Sequence, residues 1–381
     1  MQIAVPAENV PGETRVAIVP RSVAQLISAG GSVVIEANAG TAAGFADSAY
    51  TEAGATVEST RATLLGGADV TVVVRRPAIS DLRLLKSGSV LVGMIDPGGD
   101  PEPLRALIDG NVTAFRMEAL PRISRAQDMD VLSSMATIAG YHAAVLAAYR
   151  LPRLFPLLMT AAGTITPARA LVLGAGVAGL QAIATCKRLG AVVEAYDVRP
   201  AVREQVESLG ARFVAVGIED EAHQDAGGYA KELTADAQQR EHEVLGQHVR
   251  DSDVVITTAL IPGRPAPKLI TADMVEGMRN GSVIVDLAAP GGGNCELTQP
   301  DEEVVTGGGV LILGPTNLPA AIPGQASLLY SNNVTRFIKQ FVKDGQISLD
   351  FDDEVIARTC IARDGEPVGE QMTSLLSGAT A

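Results

Sequence analysis

The stretch ARALVLGAGVAGLQAIATCKRLGAVVEAYDVRP, residues 168–200, decides the fold. Ala170 to Leu173 is a short apolar run of the kind a buried parallel strand requires. Gly174, Gly176 and Gly179 follow, spaced G-x-G-x-x-G, and open onto a helical pattern of Leu180, Ile183, Ala184 and Leu189. A second apolar run, Val192 to Tyr196, ends in Asp197. Each piece has a physical task. Gly174 permits the tight turn, Gly176 lets the backbone approach a pyrophosphate, and Gly179 lets helix and strand pack closely. The helix N-terminus offers unpaired N–H groups and a partial positive charge to that pyrophosphate. Asp197 can accept hydrogen bonds from both ribose hydroxyls and would repel a 2′-phosphate. Arg199 can contact a phosphate, but Asp197 holds the strand tip. A lone G-x-G-x-x-G is weak in a chain with 39 glycines, and a structural βαβ turn that binds nothing is the competing reading. Here strand, glycines, helix, second strand and acid fall in order within about thirty residues. The pattern reads as NAD rather than NADP.

Working outward, 381 residues exceed what one hydrophobic core usually fills, so two domains are expected. A hydrophobic share of 47% with 19% charged residues describes a globular α/β chain. Aromatics make up 3% with no Trp, and the net charge is −14; both argue against nucleic acid as a partner. Cys186, Cys295 and Cys360 are odd in number and far apart, without a C-x-x-C, so neither a disulfide frame nor a zinc site is expected. His142, His223, His242 and His248 lack ligand spacing, and no metal is expected. The N-terminus has no basic segment followed by an apolar core, so no signal peptide is expected. No apolar run is counted as reaching the ~18 to 20 residues of a membrane helix, so direct membrane insertion is not expected.

Before the opening stretch, strands are expected at Gln2 to Pro6, Val33 to Glu36, Val70 to Arg75, Val90 to Ile95 and Asn111 to Arg116. Ser22 to Ala29 reads as a helix with Ser22 as its N-cap, and Asp47 to Ala53 as a short helix ended by Gly54. Leu132 to Leu151 is a long small-residue apolar stretch that joins the halves as a shared helix. Beyond the opening stretch, strands are expected at Phe213 to Val216, Val254 to Thr258, Ser282 to Leu287 and Val310 to Leu313. Gln325 to Val342 is a helix returning the chain to the first domain, on which the segment from Asp344 packs. The fold class is therefore α/β, with two Rossmann-like doubly wound parallel-sheet domains joined by long helices. The first is discontinuous, 1–131 plus 325–381; the second, 132–324, holds the nucleotide fingerprint. Glu219 to Arg250 is a polar insertion around Gly227-Gly228-Tyr229-Ala230-Lys231, open to two readings: a solvated helix with a loop, or a hinged lid.

Pro121 to Met135 packs Arg122, Arg125, Gln127, Asp128, Asp130, Ser133 and Ser134 into one stretch at the expected domain junction, where clefts of two-domain α/β enzymes form. A helix entry capped by Asp130 accounts for some of these residues. The stretch RAQDMDVLSSMATIAGYHAA (125–144) resembles the soluble NAD(H)-binding domain of proton-translocating nicotinamide nucleotide transhydrogenase, carried as a separate alpha subunit. The resemblance continues through FPLLMTAAGTITPARALVLGAGVAGLQAIATCKRLGA (155–191), GGYAKE (227–232), TTALIPGRPAP (257–267), GSVIVDLAAPGGGNCE (281–296) and ARDGEP (362–367), nearly the whole chain. It implies Arg122 and Ser133 on the nicotinamide carboxamide, Gln127 toward the second nucleotide, and Asp130 in the same reacting centre. It further implies NAD(H) contacts from Val177, Ala178, Val198, Gly228 and Leu260, with Tyr229 on a mobile loop that closes over the nucleotide. NADP(H) would sit on a partner subunit and proton movement in membrane subunits. The chain would form a homodimer, cytoplasmic and peripheral on the inner face of the cell membrane through those partners. Pro315 departs from the family, which commonly carries a ring-bearing polar residue there.

The related alanine dehydrogenases share the two-domain plan and resemble AENVPGETRVAIVP (7–20) and AGTAAGFADSAYTEAGA (39–55). They should carry a Lys in K-E-P and a His in L-H-L-A. The matching segments here read Arg75-Arg76-Pro77 and Met94-Ile95-Asp96-Pro97. Oxidising an amine needs a proton acceptor and a carbonyl polariser, and neither remains. Arg15 remains, with a structural ion pair as an equal reading. A silent NAD-sensing subunit is the third possibility. Hydride passing between two nicotinamides makes no O–H or N–H bond, so alignment and exclusion of water suffice.

Overall fold

A computed structural model describes residues 1–216, 235–260 and 264–378. The chain divides into two compact units, Met1–Met135 with Pro319–Ala381, and Ala136–Leu318. In the first unit, Gln2–Val5 (β1), Ser32–Glu36 (β2), Thr56–Glu58 (β3), Val70–Arg75 (β4), Val90–Met94 (β5) and Thr113–Arg116 (β6) pair in the order β3-β2-β1-β4-β5-β6. All these pairs are parallel. Strand Cys360–Arg363 adds antiparallel to β6, and Glu366–Pro367 follows it at the edge. The order reverses between β1 and β4. Both sheet faces are covered, so Ile3, Ala4 and Val5 are all buried, as a continuous apolar run in a parallel sheet requires.

Helix Pro323–Phe341 is the main cover of this unit's core. Its Phe337 meets Phe115 edge-on at 5.4 Å, while Phe341 stacks on Phe115 at 5.7 Å. The same helix satisfies loop backbone: Ser327 Oγ accepts from Val16 N–H at 2.9 Å, and Ser331 Oγ from Val19 N–H at 3.1 Å. One expectation is corrected here. The first helix is Pro20–Ser28, preceded by Val19, and Ser22 is not its cap. Proline's fixed φ suits the first helical position, so the helix starts at Pro20. Ser22 is a buried interior residue that accepts from Ser331 Oγ at 2.7 Å.

In the second unit a hairpin, Leu158–Thr160 (β7) and Gly163–Ile165 (β8), precedes the sheet. Its sheet comprises Arg169–Leu173 (β9), Val192–Tyr196 (β10), Arg212–Phe213 (β11), Val254–Thr257 (β12), Val283–Asp286 (β13), Glu303–Val305 (β14) and Leu311–Leu313 (β15). The order is β11-β10-β9-β12-β13-β15-β14, with only β14 antiparallel. The strand expected at Phe213 to Val216 is Arg212–Phe213 instead. Val214 N–H still donates to Ala195 O at 2.8 Å, but β10 ends one residue later and the ladder stops. Alternate residues feed two cores: Ala170, Val172, Val254 and Ile256 on one face, Leu171, Leu173, Val255 and Ile284 on the other.

The helix Val131–Arg150 is 20 residues long. Its best window has a mean hydropathy of 1.4, which corrects the expectation of no membrane-length apolar segment. The apolarity is spread over Ala, Val, Leu and Met with Ser, Thr, Gly and His between, so no unbroken run shows in the sequence. By length and composition alone it could cross a membrane; Ala143, Ala144 and Ala147 lie in the second unit's core. Gly140 allows its approach to the fingerprint helix, because a Cβ there would lie 2.0 Å from Ala178 O.

Candidate functional site

The glycine-rich loop follows β9 at the carboxyl edge of the second unit's sheet, where the strand order reverses between β9 and β12. Open α/β sheets bind ligands at such switch points. The three glycines are not interchangeable. Gly174 has φ +96°, and a Cβ on it would meet Thr258 Oγ1 at 2.6 Å. A Cβ on Gly179 would lie 1.8 Å from Gly174 O, so this glycine lets the helix close onto the strand end. A Cβ on Gly176 would meet no described atom within 4 Å: the loop is open at that point, where a diphosphate would lie against backbone.

Helix Val177–Arg188 starts there, with Gly176 as N-cap and no acidic residue in its first turn. Lys187 and Arg188 stand in its last turn, matching the dipole at the other end. The first-turn N–H groups of Val177 and Ala178 therefore face no acid of their own turn. Val177 is 44% exposed at the loop mouth.

Asp197 lies at the tip of β10 and is buried. Its Oδ2 accepts from Ala175 N–H at 2.7 Å, which locks the glycine loop to the strand tip. Its Oδ1 accepts from the Arg199 backbone N–H at 2.9 Å and Nε at 2.8 Å, and Arg199 Nη2 reaches Oδ2 at 2.8 Å. Asp197 and Arg199 thus form a bidentate pair, whereas the sequence pattern sets the two in competition. A shallow pocket beside them is lined by Tyr196, Asp197, Val198, Pro200, Phe213, Val214 and Val216. An apolar slot next to a carboxylate is chemically suited to an adenosine.

Across the reversal, Thr258 Oγ1 donates to Gly174 O at 3.1 Å. Leu260 is 44% exposed just beyond β12. Its loop is held by buried Asn294, which accepts from Ala259 N–H at 3.0 Å and donates to Ala259 O at 2.9 Å and Pro267 O at 2.8 Å. Buried Asp286 anchors the neighbouring loop by accepting from Thr257 Oγ1, Ala288 N–H, Cys295 N–H and Thr298 Oγ1, all within 3.0 Å. Gly227, Gly228, Tyr229 and Lys231, the candidate lid, lie outside the described residues, as does His223.

The second candidate group belongs to the first unit. Ser124–Met129 is a 3-10 turn. Ala126 and Met129 are buried anchors, and Asn333 Nδ2 donates to Asp128 O at 2.8 Å. Arg336 pairs with Asp128 at 2.8 Å, and Arg125 with Asp353. So braced, the turn leaves Arg122 and Gln127 exposed. Asp130 accepts from Ser133 N–H at 2.9 Å and Ser133 Oγ at 2.6 Å, the geometry of a helix N-cap. Capping thus engages both residues on each other.

Where an alanine dehydrogenase would need a histidine, Ile95 is buried in the apolar core with Val73, Leu91 and Leu104. Arg15 is 2% exposed; its Nε donates to Glu13 Oε1 at 2.7 Å and its Nη2 to Oε2 at 2.5 Å, the ion-pair reading. Burial pushes the thiols of Cys186 up to about 12 and Cys360 up to about 11, so neither is a thiolate at neutral pH.

Fold and loop together define a Rossmann-type, two-unit α/β protein. Residues 4–139 match the N-terminal domain of alanine dehydrogenase/PNT and residues 143–370 its C-terminal domain. An NAD(P) transhydrogenase subunit alpha polypeptide of Rhodospirillum rubrum is 47% identical over 98% of this chain and 99% of its own length. A crystal structure of transhydrogenase from Sinorhizobium meliloti superposes with TM-score 0.88 at 43% identity, covering 97% of this chain and all of its own. An L-alanine dehydrogenase structure covers both chains fully with TM-score 0.83 at 26% identity. The chain belongs to the alanine dehydrogenase/PNT family, and within it to the NAD(P) transhydrogenase alpha subunits.

Proposed function

We propose that this chain is the NAD(H)-binding component of a proton-translocating transhydrogenase. It holds NADH so that hydride passes directly to NADP⁺ on a partner subunit, with proton movement carried by membrane subunits. The observation that carries this reading is the Gly174–Gly179 loop locked to Asp197 through Ala175 N–H. A diphosphate fits where Gly176 is open and the helix N-terminus faces outward. An adenosine fits the slot at Val198, Pro200 and Phe213, with its ribose at Asp197 and Arg199. Leu260 stands on the opposite side of the strand reversal. When bound, the dinucleotide supplies the hydride itself. The chain's own residues orient it and exclude water, and none of them must accept a proton from a carbon–hydrogen bond. In the first unit, Arg122 and Gln127 supply exposed polar groups for a carboxamide and a second nucleotide, with Asp130 and Ser133 shaping their loop.

The chain works as a homodimer, on the inner face of the cell membrane through its partners. The hairpin supports the homodimer: all six residues of β7 and β8 are exposed, and Leu157, Leu158, Met159 and Ile165 present apolar surface. A two-stranded hairpin alone in water is marginal and gains from a second surface. The test is to titrate the purified chain with NADH and with NADPH, then add the partner subunit and follow hydride transfer. Tight NADH binding with transfer only in the reconstituted pair is expected. Equal affinity for both nucleotides would remove the NAD assignment, and turnover of pyruvate and ammonia with NADH would favour the alanine dehydrogenase chemistry.

A further inference from the structure

One residue before Asp197 the strand tip makes a second buried polar contact. Tyr196, 3% exposed, donates its hydroxyl to Glu241 Oε1 at 2.5 Å. Glu241 lies 45 residues away in sequence, on helix Ala235–Asp251, and is 5% exposed. Burial holds its carboxyl above the usual range. A carboxyl group removed from water needs compensation, and the phenol provides it. Leu245 and Val249 of the same helix join Tyr196, Val214 and Val216 in one apolar cluster. Tyr196, Val214 and Val216 also line the pocket beside Asp197. The tyrosine that lines this pocket is therefore fixed at its hydroxyl by a directional bond to the helix packed against it.

We propose that Glu241 is a positioning residue for the adenosine end of the NAD(H) site, acting through its hydrogen bond to Tyr196. This rests on the reading of the second unit as the NAD(H) site. A purine is recognised by flat apolar contact and by hydroxyls at a fixed distance from it. Both depend on one stretch of backbone here, because Tyr196 lines the slot and the next residue, Asp197, is the one that would meet the ribose. A ring held by packing alone rocks about its bond to the strand. A phenol–carboxyl hydrogen bond removes that freedom before the ligand arrives, and such preorganisation raises affinity without a new ligand contact.

The experiment uses the full chain and three probes: NADH, AMP, and reduced nicotinamide mononucleotide, which lacks adenosine. Tyr196→Phe and Glu241→Leu should each weaken NADH and AMP by the same factor of ~10, about 1.4 kcal/mol. The mononucleotide should change less than about twofold on the same scale. Glu241→Gln keeps an acceptor for the phenol and should stay within about threefold of wild type. Tyr196→Phe also strands a buried carboxyl, so stability must be separated from affinity. The double variant Tyr196→Phe with Glu241→Leu makes an apolar pair; it should melt no lower than either single variant yet keep the ~10-fold loss. Affinities that simply follow melting temperature across the set would overturn the proposal. So would Tyr196→Phe binding AMP as wild type does. A wild-type chain that binds neither NADH nor AMP would instead overturn the nucleotide-site reading, without any variant.

Discussion

Replacing Asp197 by Asn tests the nucleotide reading most directly. The carboxylate accepts from Ala175 N–H at 2.7 Å and is capped by Arg199 at 2.8 Å on both oxygens. Ribose hydroxyls donating to it make charge-assisted bonds, each about 1.5–3 kcal/mol. They share the carboxylate with Arg199, whose contact they weaken, and this offsets part of the gain. The net loss on Asp197→Asn is then roughly 2–3 kcal/mol, or ~30- to 150-fold in NADH affinity. Asn keeps an acceptor for Ala175 N–H, so the loop should hold. For NADPH the balance differs. A unit charge ~5 Å from the carboxylate is repelled by about 3 kcal/mol at an effective dielectric near 20, and the guanidinium beside it cancels much of that. The wild-type preference for NADH should therefore be finite, ~10- to 100-fold. Asp197→Asn frees Arg199 for a 2′-phosphate and should bring the two affinities within about threefold. Arg199→Ala should weaken NADPH more than it weakens NADH. Calorimetric titrations at fixed ionic strength read all of this. An Asp197→Asn chain that binds NADH as tightly as wild type, or keeps the same preference, refutes the reasoning.

Gly179→Ala should destabilise the second unit by about 3 kcal/mol or more, since its Cβ would meet Gly174 O at 1.8 Å. Gly176→Ala should keep the melting temperature and weaken NADH ~10-fold or more, because space is open there and only a ligand would collide. Gln127→Ala should leave NADH affinity unchanged, yet slow single-turnover hydride transfer in the reconstituted complex ~10- to 100-fold, about 1.4–2.7 kcal/mol of barrier; a wild-type rate removes Gln127 from the reacting centre. Burial, offset to some extent by the Val74 and Arg75 N–H groups, pushes Glu8 up to about 7 from 4.5; burial does the same to Glu118. Raised carboxyl values mean that the folded state holds protons the unfolded state has lost, so stability from these groups falls as pH rises from about 4.5 to 7. Glu8→Gln and Glu118→Gln should each raise stability at pH ~8 relative to pH ~5 by roughly 1–2 kcal/mol, discounted for partial solvent screening; equal effects at both pH values would exclude this origin. Met159→Glu together with Leu158→Glu should give a folded monomer by sedimentation, whereas an undisturbed dimer would place the interface elsewhere.

The strands are legible in the sequence because parallel sheets bury both faces. Ala170 to Leu173 serves one core through Ala170 and Val172 and the other through Leu171 and Leu173, leaving an unbroken apolar run. The glycine fingerprint is legible for a similar reason, since each glycine answers a backbone constraint within a few residues. Contacts made across long separations leave no such trace. Gly140 sits within a helix and is required only because Ala178 O comes to meet it. Nothing near Glu241 announces a phenol 45 residues earlier. Thr56–Glu58 is a strand of three residues, none buried, and has no apolar run to betray it. Asp197 and Arg199 each stand out in the sequence, but their pairing depends on a side-chain rotamer that spacing does not specify.

The chemistry follows from which positions carry proton-active groups. In the first unit Ile95 turns into the core where an amine-oxidising relative needs an imidazole, and Arg15 is engaged by Glu13. In the second unit the loop is held by main-chain N–H groups, Thr258 and the Asp197 carboxylate. A loop of this kind orients a charged, flat ligand with little reorganisation, because its donors are backbone fixed by a strand end and a helix start. Those N–H donors cannot take a proton from an amine, and the Asp197 carboxylate is engaged by Ala175 and Arg199. Under the proposed function this is no deficiency: hydride leaving one carbon for another makes and breaks no O–H or N–H bond for a base to serve, so alignment and exclusion of water suffice. Substitutions that tilt the adenosine, such as Tyr196→Phe, should then act on binding. Those on the exposed turn at Gln127 should act on transfer, and the two effects should add within about 0.5 kcal/mol in a combined variant.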